Sequence, residues 1–221
     1  EGPAEGQPKP ILLTGYFEPV FEGSLRPMGE YRYPIYRPPD DLVKIQQRGS
    51  GEQIIRLERG QAVPYYSRRE IDTEGLLQGR GLELAWLKDP WERFVLHVQG
   101  SGKIRLPGGE ILGMGFAASN GRPYTSIGRY LVERGFIEEK GLSLRLVKEF
   151  LMQHPERMEE IFNVNERYVF FLPVQAEDGP RGALGVSLTA GRSIATDHSF
   201  FPWGALAYLI SREPNCDKTG E

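Results

Sequence analysis

Glycine and proline set the first constraint on this chain: 27 Gly and 17 Pro spread over 221 residues leave most of its apolar runs short. Proline removes a backbone donor and glycine admits conformations closed to other residues, so each tends to end or bend an element. Such punctuation predicts a mainly β protein with many turns. Strands are expected at Ile11 to Tyr16, Phe94 to Gln99, Lys103 to Leu106, Glu110 to Gly113, Tyr168 to Pro173, Gly185 to Thr189 and Ala205 to Ile210. Two helices interrupt them. Ser126 can cap "SIGRYLVERG", with Gly135 at its end, and Ser143 can cap an apolar stripe of Leu146, Val147, Phe150 and Leu151 that Pro155 stops. A further turn or two is expected over Glu156 to Phe162. "YPIYRPPDDL" (33–42) reads as an extended, proline-stiffened connection into a separate module.

Composition removes several function classes. A hydrophobic content of 39% is enough to bury a core, so disorder is not expected. The 27 basic and 30 acidic residues nearly cancel, leaving a net charge of -3 and no field to gather nucleic acid. No apolar run approaches the roughly 20 residues of a membrane span, and "EGPAEGQPKP" lacks the regions of a signal peptide. His97, His154 and His198 are too scattered for a zinc site, and no GxSxG elbow is present. His97 is expected on a strand, in the core or on the sheet surface. The lone Cys216 has no partner for an internal disulfide.

The chemistry must come from short stretches. In "TGYFEP" (14–19), Thr14, Tyr16 and Glu18 would stand at the end of a strand, or Tyr16 and Phe17 would simply join the core. "QGSG" (99–102) places an amide beside backbone donors in an uncrowded turn. Phosphate would compete for such a turn, but Lys103 runs on into a strand rather than a helix. Sugars present hydroxyls on apolar faces, so their sites use neutral hydrogen-bonding groups and aromatic platforms. Gln99, Ser101, Asn120 and Tyr124 form that kind of set. A turn at Asn120-Gly121 and a helix cap at Ser126 explain "NGRPYTSIG" equally well. Asp197 makes an Asx turn, or it is an acid whose pKa is raised by Phe200, Phe201 and Trp203 nearby.

The blocks "TGYFEP", "YSRREID", "GLELAWLKDPWERFVLHVQGSG", "NGRPYTSIGRYLVERG", "NERYVFF" and "GRSIATDHSFFPWG" resemble, in this order, the membrane-bound lytic murein transglycosylase A family. The resemblance runs from about Leu13 to Ile210, and its last block is similar to the opening of a three-aspartate domain. It implies a double-psi β-barrel built from both chain ends (1–20 and 166–221) and an inserted, smaller β-barrel domain with a few helices (21–165). A groove between them would hold a peptidoglycan strand, with Tyr16, Gln99 and Asn120 along one furrow.

The implied reaction cleaves the β-1,4 bond between N-acetylmuramic acid and N-acetylglucosamine and leaves a 1,6-anhydromuramyl end. One carboxyl suffices: it protonates the leaving oxygen, then takes the proton of the sugar's own C6 hydroxyl. No cofactor and no metal is implied. By the same resemblance Thr14, Tyr16 and Glu18 line the barrel side, and Gln99, Gly100, Ser101 and Gly102 touch the glycan from the inserted domain. Asn120, Tyr124 and Ser126 shape the far wall. Only the first of the three aspartates, Asp197, has a match, and it is expected to support an acid beyond Glu221; the chain then reads as truncated. Asp197 itself, and after it Glu18, are the fallback acids. Peptidoglycan strands are the expected partner, with cell-wall assembly proteins as a further possibility, and the setting is periplasmic or outer-membrane associated. A non-catalytic glycan-binding module and a cell-wall scaffold remain the alternatives.

Overall fold

A computed structural model describes residues 18–47, 51–140, 142–176, 179–180, 182–197, 199–202 and 204–210. In chain order its elements are β1 (Val20–Ser24), β2 (Tyr33–Tyr36), β3 (Val43–Gln47), β4 (Gly51–Glu58), β5 (Gln61–Pro64), α1 (Arg68–Asp72), β6 (Glu83–Leu87), α2 (Pro90–Gln99), β7 (Gly102–Arg105), β8 (Ile111–Ser119), α3 (Ile127–Glu133), α4 (Leu144–Gln153), a 3-10 turn at Pro155–Arg157, α5 (Met158–Val164) and β9 (Val169–Val174). Strands predominate, with a few short helices, as the punctuation predicts.

Six strands form one sheet in the order β2-β6-β1-β7-β8-β9, and β3-β4-β5 form a separate antiparallel meander. Within the larger sheet only β1 and β7 run parallel, pairing Val20 with Lys103 and Phe21 with Ile104. Gly23 lets β1 lie close to its neighbours: an added Cβ would collide with the Ile104 side chain. Among the described residues no ladder joins the edge strands β2 and β9, so the sheet is not a closed barrel. Side chains close the gap, with the rings of Tyr36 on β2 and Tyr168 just before β9 6.5 Å apart.

The first half of β9, Val169 to Phe171, is buried on both faces, since successive side chains of a strand point to opposite sides and each side is covered. Val169 and Phe171 join an apolar cluster with Phe94, Leu96, Ile104 and Leu131, while Phe170 joins a second one with Tyr36, Tyr65 and Leu77. The helices α2 to α5 close the first cluster, where the Phe94 and Phe162 rings stack at 4.7 Å.

The two expected helices are present with their expected caps. Ser126 Oγ accepts from Arg129 N and Ser143 Oγ from Leu146 N, and α4 stops ahead of Pro155. The turn over Glu156 to Phe162 is helical as well. Five expectations fail or fall outside. Phe94 to Gln99 is helix, not strand, because Asp89 caps Trp91 N at 2.8 Å, Pro90 opens the first turn and Gly100 closes the last. "YPIY" is a strand of the main sheet rather than a connection. Gly185 to Thr189 and Ala205 to Ile210 form no strand, and 183–210 is exposed wherever it is described. Ile11 to Tyr16 lies outside the described residues.

Candidate functional site

Gln99 is the last residue of α2, and Gly100 is its left-handed cap at φ 77°, donating to Leu96 O at 2.8 Å. Gly102 opens β7, where an added Cβ would come within 2.9 Å of Leu96 Cδ1 and 3.3 Å of Pro19 O. Both glycines are therefore demanded by the turn from α2 into β7. Ser101 lies half-buried between them. The turn still leaves Gln99 exposed at the surface, and the Gly100 backbone lies beside the Phe116 ring.

Asn120 does not face a ligand. It is 1% exposed, its Nδ2 donates to Tyr66 O and Glu166 O at 2.8 Å each, and its Oδ1 accepts from Tyr168 N at 2.8 Å and Arg122 N at 3.3 Å. Asn165, equally buried, accepts through Oδ1 from Thr125 N and Arg167 N. The two amides pin the loop before α3 to the segment before β9. Asn120 thus leaves the expected furrow and, together with Asn165, holds the loop that carries Tyr124.

Beside these amides runs a buried charge network. Arg68 is 1% exposed, and its guanidinium donates to Asn165 O at 3.0 Å, Arg167 O at 2.7 Å and His97 Nδ1 at 3.1 Å. Asp72 meets Arg68 at 3.4 Å and Arg93 at 2.9 Å. Burial, then the charges of Arg68 and Arg93, holds His97 well below the ordinary imidazole pKa. Neutral His97 accepting at Nδ1 must carry its proton on Nε2. His97 is in the core as expected, but on a helix.

The expected residues that do come together are Gln99, Tyr124 and Ser126. They line an open depression of about 190 Å³ between α2, α3 and the start of α4, with Phe94, Val98 and Leu144 among its apolar walls. Among the described residues no charged side chain lines it. Tyr124 is 53% exposed and Phe116, beside Gly100, is 51% exposed. Phe116 was invisible in the sequence because a β-bulge between Phe116 and Ala118 breaks the alternation of β8.

The other expected residues lie elsewhere. Glu18 pairs with Lys103 Nζ at 3.1 Å, and Thr14, Tyr16 and His198 fall outside the described residues. Asp197 accepts from Ser199 Oγ at 2.6 Å and Ser199 N at 2.8 Å, the Asx-turn alternative. Those bonds lower its pKa, the reverse of what a general acid needs. Phe200 is 80% exposed and Phe201 51%, so neither encloses it. Among the described residues no group of three or more His, Cys, Asp or Glu could hold a metal, and no helix is long and apolar enough to cross a membrane.

Comparison with known families decides what this arrangement belongs to: the family described as the MltA specific insert domain matches residues 12–172. The chain belongs to that family. It is similar to the membrane-bound lytic murein transglycosylase A of Vibrio cholerae, 32% identical over 196 residues that cover 88% of this chain and 47% of that protein. Its structure is similar to the membrane-bound lytic murein transglycosylase of Agrobacterium tumefaciens, with TM-score 0.73 and 35% identity over 81% of this chain and 51% of that one. The E. coli MltA crystal structure with bound chitohexaose gives TM-score 0.69 at 30% identity, covering 86% of this chain and 50% of that one. This chain therefore spans about half the length of these relatives.

Proposed function

We propose that this chain holds the glycan strand for a lytic transglycosylase that cleaves the β-1,4 MurNAc–GlcNAc bond of peptidoglycan and leaves 1,6-anhydromuramyl ends. The observation that carries the reading is the depression around Gln99 and Tyr124: neutral, apolar-walled and open, it suits a polyol with apolar faces rather than an anion. Gln99 offers its amide to hydroxyls or an acetamide, Tyr124 offers a ring, and Phe116 extends the aromatic surface. The family membership and the chitohexaose bound to the E. coli relative support the same substrate class.

In this reading about 21–165 form the inserted module. A double-psi barrel is built from 1–20 and 166–221, joined to the module's sheet through the pairing of β9 with β8 and through the Glu18–Lys103 ion pair, with Thr14, Tyr16 and Glu18 on the barrel side of the groove. A single acid/base carboxyl outside the described residues performs the chemistry, and the exposed, hydrogen-bonded Asp197 supports it as an anion. The names of the relatives support a periplasmic or outer-membrane setting. A second reading, a non-catalytic glycan-binding module, is favoured by the depression having no carboxylate among the described residues that line it.

Incubation with purified sacculi separates the readings. Released muropeptides with anhydro ends support the transglycosylase and reducing ends indicate a hydrolase. Sedimentation with sacculi and no product indicates binding alone.

A further inference from the structure

A second, larger cavity shares no lining residue with the depression. It measures about 340 Å³, within the range of small-ligand sites, and opens between β2, the end of α1, the start of α2 and α5. Asp72 and Arg93 form its charged floor, each side chain only 10% exposed.

The charges of that floor do not balance. Asp72 is shared by two guanidiniums, so one carboxylate answers two cations in a place shielded from water. The other donors of Arg68 are taken up by two carbonyls and His97. The Arg93 guanidinium, by contrast, has Asp72 as its one ion-pair partner among the described residues, and it lies 5.4 Å from the centre of the Tyr33 ring, which also lines the cavity. A desolvated guanidinium with donors to spare is a fork for a planar anion. One excess positive charge suits a monoanionic carboxylate; a dianionic phosphate would overshoot it against Asp72. Around the fork, Ile71, Met158 and Phe162 make apolar walls for a small aliphatic group, and the exposed amide of Gln78 at the rim suits a peptide bond. Arg32, exposed at the mouth, adds attraction, while Glu159 on the same rim disfavours more than one negative charge.

We infer that this cavity binds the free carboxylate end of a short peptide, the carboxylate on Arg93, the last side chain among Ile71, Met158 and Phe162, and the peptide group at Gln78. The inference rests on the proposed function in one respect: a peptidoglycan strand carries such short peptides beside its sugars, so the cavity would read the stem while the depression holds the glycan.

Calorimetric titration of the purified chain tests it with alanyl-alanine in its D,D and L,L forms, the corresponding C-terminal amides, a muropeptide bearing the same peptide end, and chitohexaose. The free-acid dipeptide is expected to bind, and its amide to bind at least about tenfold more weakly. Met158→Trp, which fills the cavity, removes dipeptide binding. Arg32→Glu at the rim, exposed and therefore harmless to folding, weakens it severalfold. Neither variant changes chitohexaose binding. Equal binding of acid and amide, no saturable binding of either, or binding untouched by both variants overturns the inference. Binding of the muropeptide that persists only while its sugar is attached overturns it too, because the cavity would then not read the peptide. Loss of chitohexaose binding alone defeats the glycan reading and leaves the carboxylate site standing.

Discussion

Two amides of the same chemistry meet opposite fates in this fold. Asn120 is sunk in a seam with Arg68, His97 and Asn165, where each of its hydrogen-bonding groups is engaged; Gln99 ends a helix at the surface beside Tyr124 and Ser126. In the seam a polar group must be matched or it costs free energy, so its partners fix the backbone. At the edge water can satisfy it, so it is available to a ligand. The same side-chain type is an internal latch in one place and a contact surface in the other, and burial alone decides which.

The contrast breaks if removing seam residues leaves stability unchanged. Arg68→Ala should have the largest effect, about 3–5 kcal/mol, since it strips donors from the buried Asn165 carbonyl, the partly buried Arg167 carbonyl and His97, and halves the compensation of Asp72. Urea unfolding measures it, and a loss under about 1 kcal/mol would show the guanidinium to be replaceable by water. Asn120→Ala follows at about 1–3 kcal/mol, because it leaves the carbonyl of Tyr66 and the N–H of Tyr168 without partners and takes one of two donors from the carbonyl of Glu166. Asn120→Asp should recover little of this, as it keeps the acceptor but turns a charge toward two carbonyls.

The seam was the part of the molecule least legible in the sequence. Helices α3 and α4 could be read because a serine cap, an apolar stripe and a stop stand in order. The same kind of signal was present for α1, as Ser67-x-x-Glu70, and for α2, as Asp89-Pro90 with Gly100 ten residues on. Valines at 95 and 98 and the neighbouring glycines suggested strand instead, although Trp91, Phe94, Val95 and Val98 keep helical spacing. The β4–β5 hairpin turns on Arg59 and Gly60, both at positive φ, without the Asn-Gly or Asp-Gly pair that usually announces it. Gln99, Tyr124 and Ser126 were legible as surface because they flank turns and caps. Asn120 was misplaced because the carbonyls that claim it lie 46 and 54 residues away in sequence.

A third test uses pH. His97 is neutral in the fold and its pKa lies well below the ordinary value near 6.5, through burial first and the two arginines second. The unfolded chain takes up a proton below about 6.5 that the folded chain refuses. Stability is therefore full above that pH and falls as pH drops through it toward the folded value, by up to about 1.4 kcal/mol per unit from this group. Unfolding midpoints from pH 7 down to 5 measure the slope. His97→Gln should flatten it relative to the parent, and a slope unchanged by that substitution would mean that imidazole does not cause it.

The smallest stability effects belong at the exposed edge, and there the comparison is sharpened. Gln99→Ala and Tyr124→Ala should each alter the unfolding free energy by less than about 0.5 kcal/mol, because neither side chain holds the fold together. Their effect should be on glycan affinity. Tyr124→Ala loses a ring face and weakens chitohexaose binding by about 0.5–1.5 kcal/mol, and Tyr124→Phe retains most of it if the ring rather than the hydroxyl makes the contact. Gln99→Ala loses a neutral hydrogen bond, about 0.5–1.5 kcal/mol, which Gln99→Glu should not restore, since a carboxylate cannot donate to a sugar hydroxyl. Asn120→Ala should then weaken glycan binding only in proportion to the looseness of the Tyr124 loop, and a stabilising co-solvent should recover the loss. Cooling or osmolyte would not recover the Tyr124→Ala defect, because the ring itself is gone. A glycan affinity indifferent to Tyr124 and Gln99 but lost with Asn120 would invert the assignment, making the seam the reader and the edge mere surface.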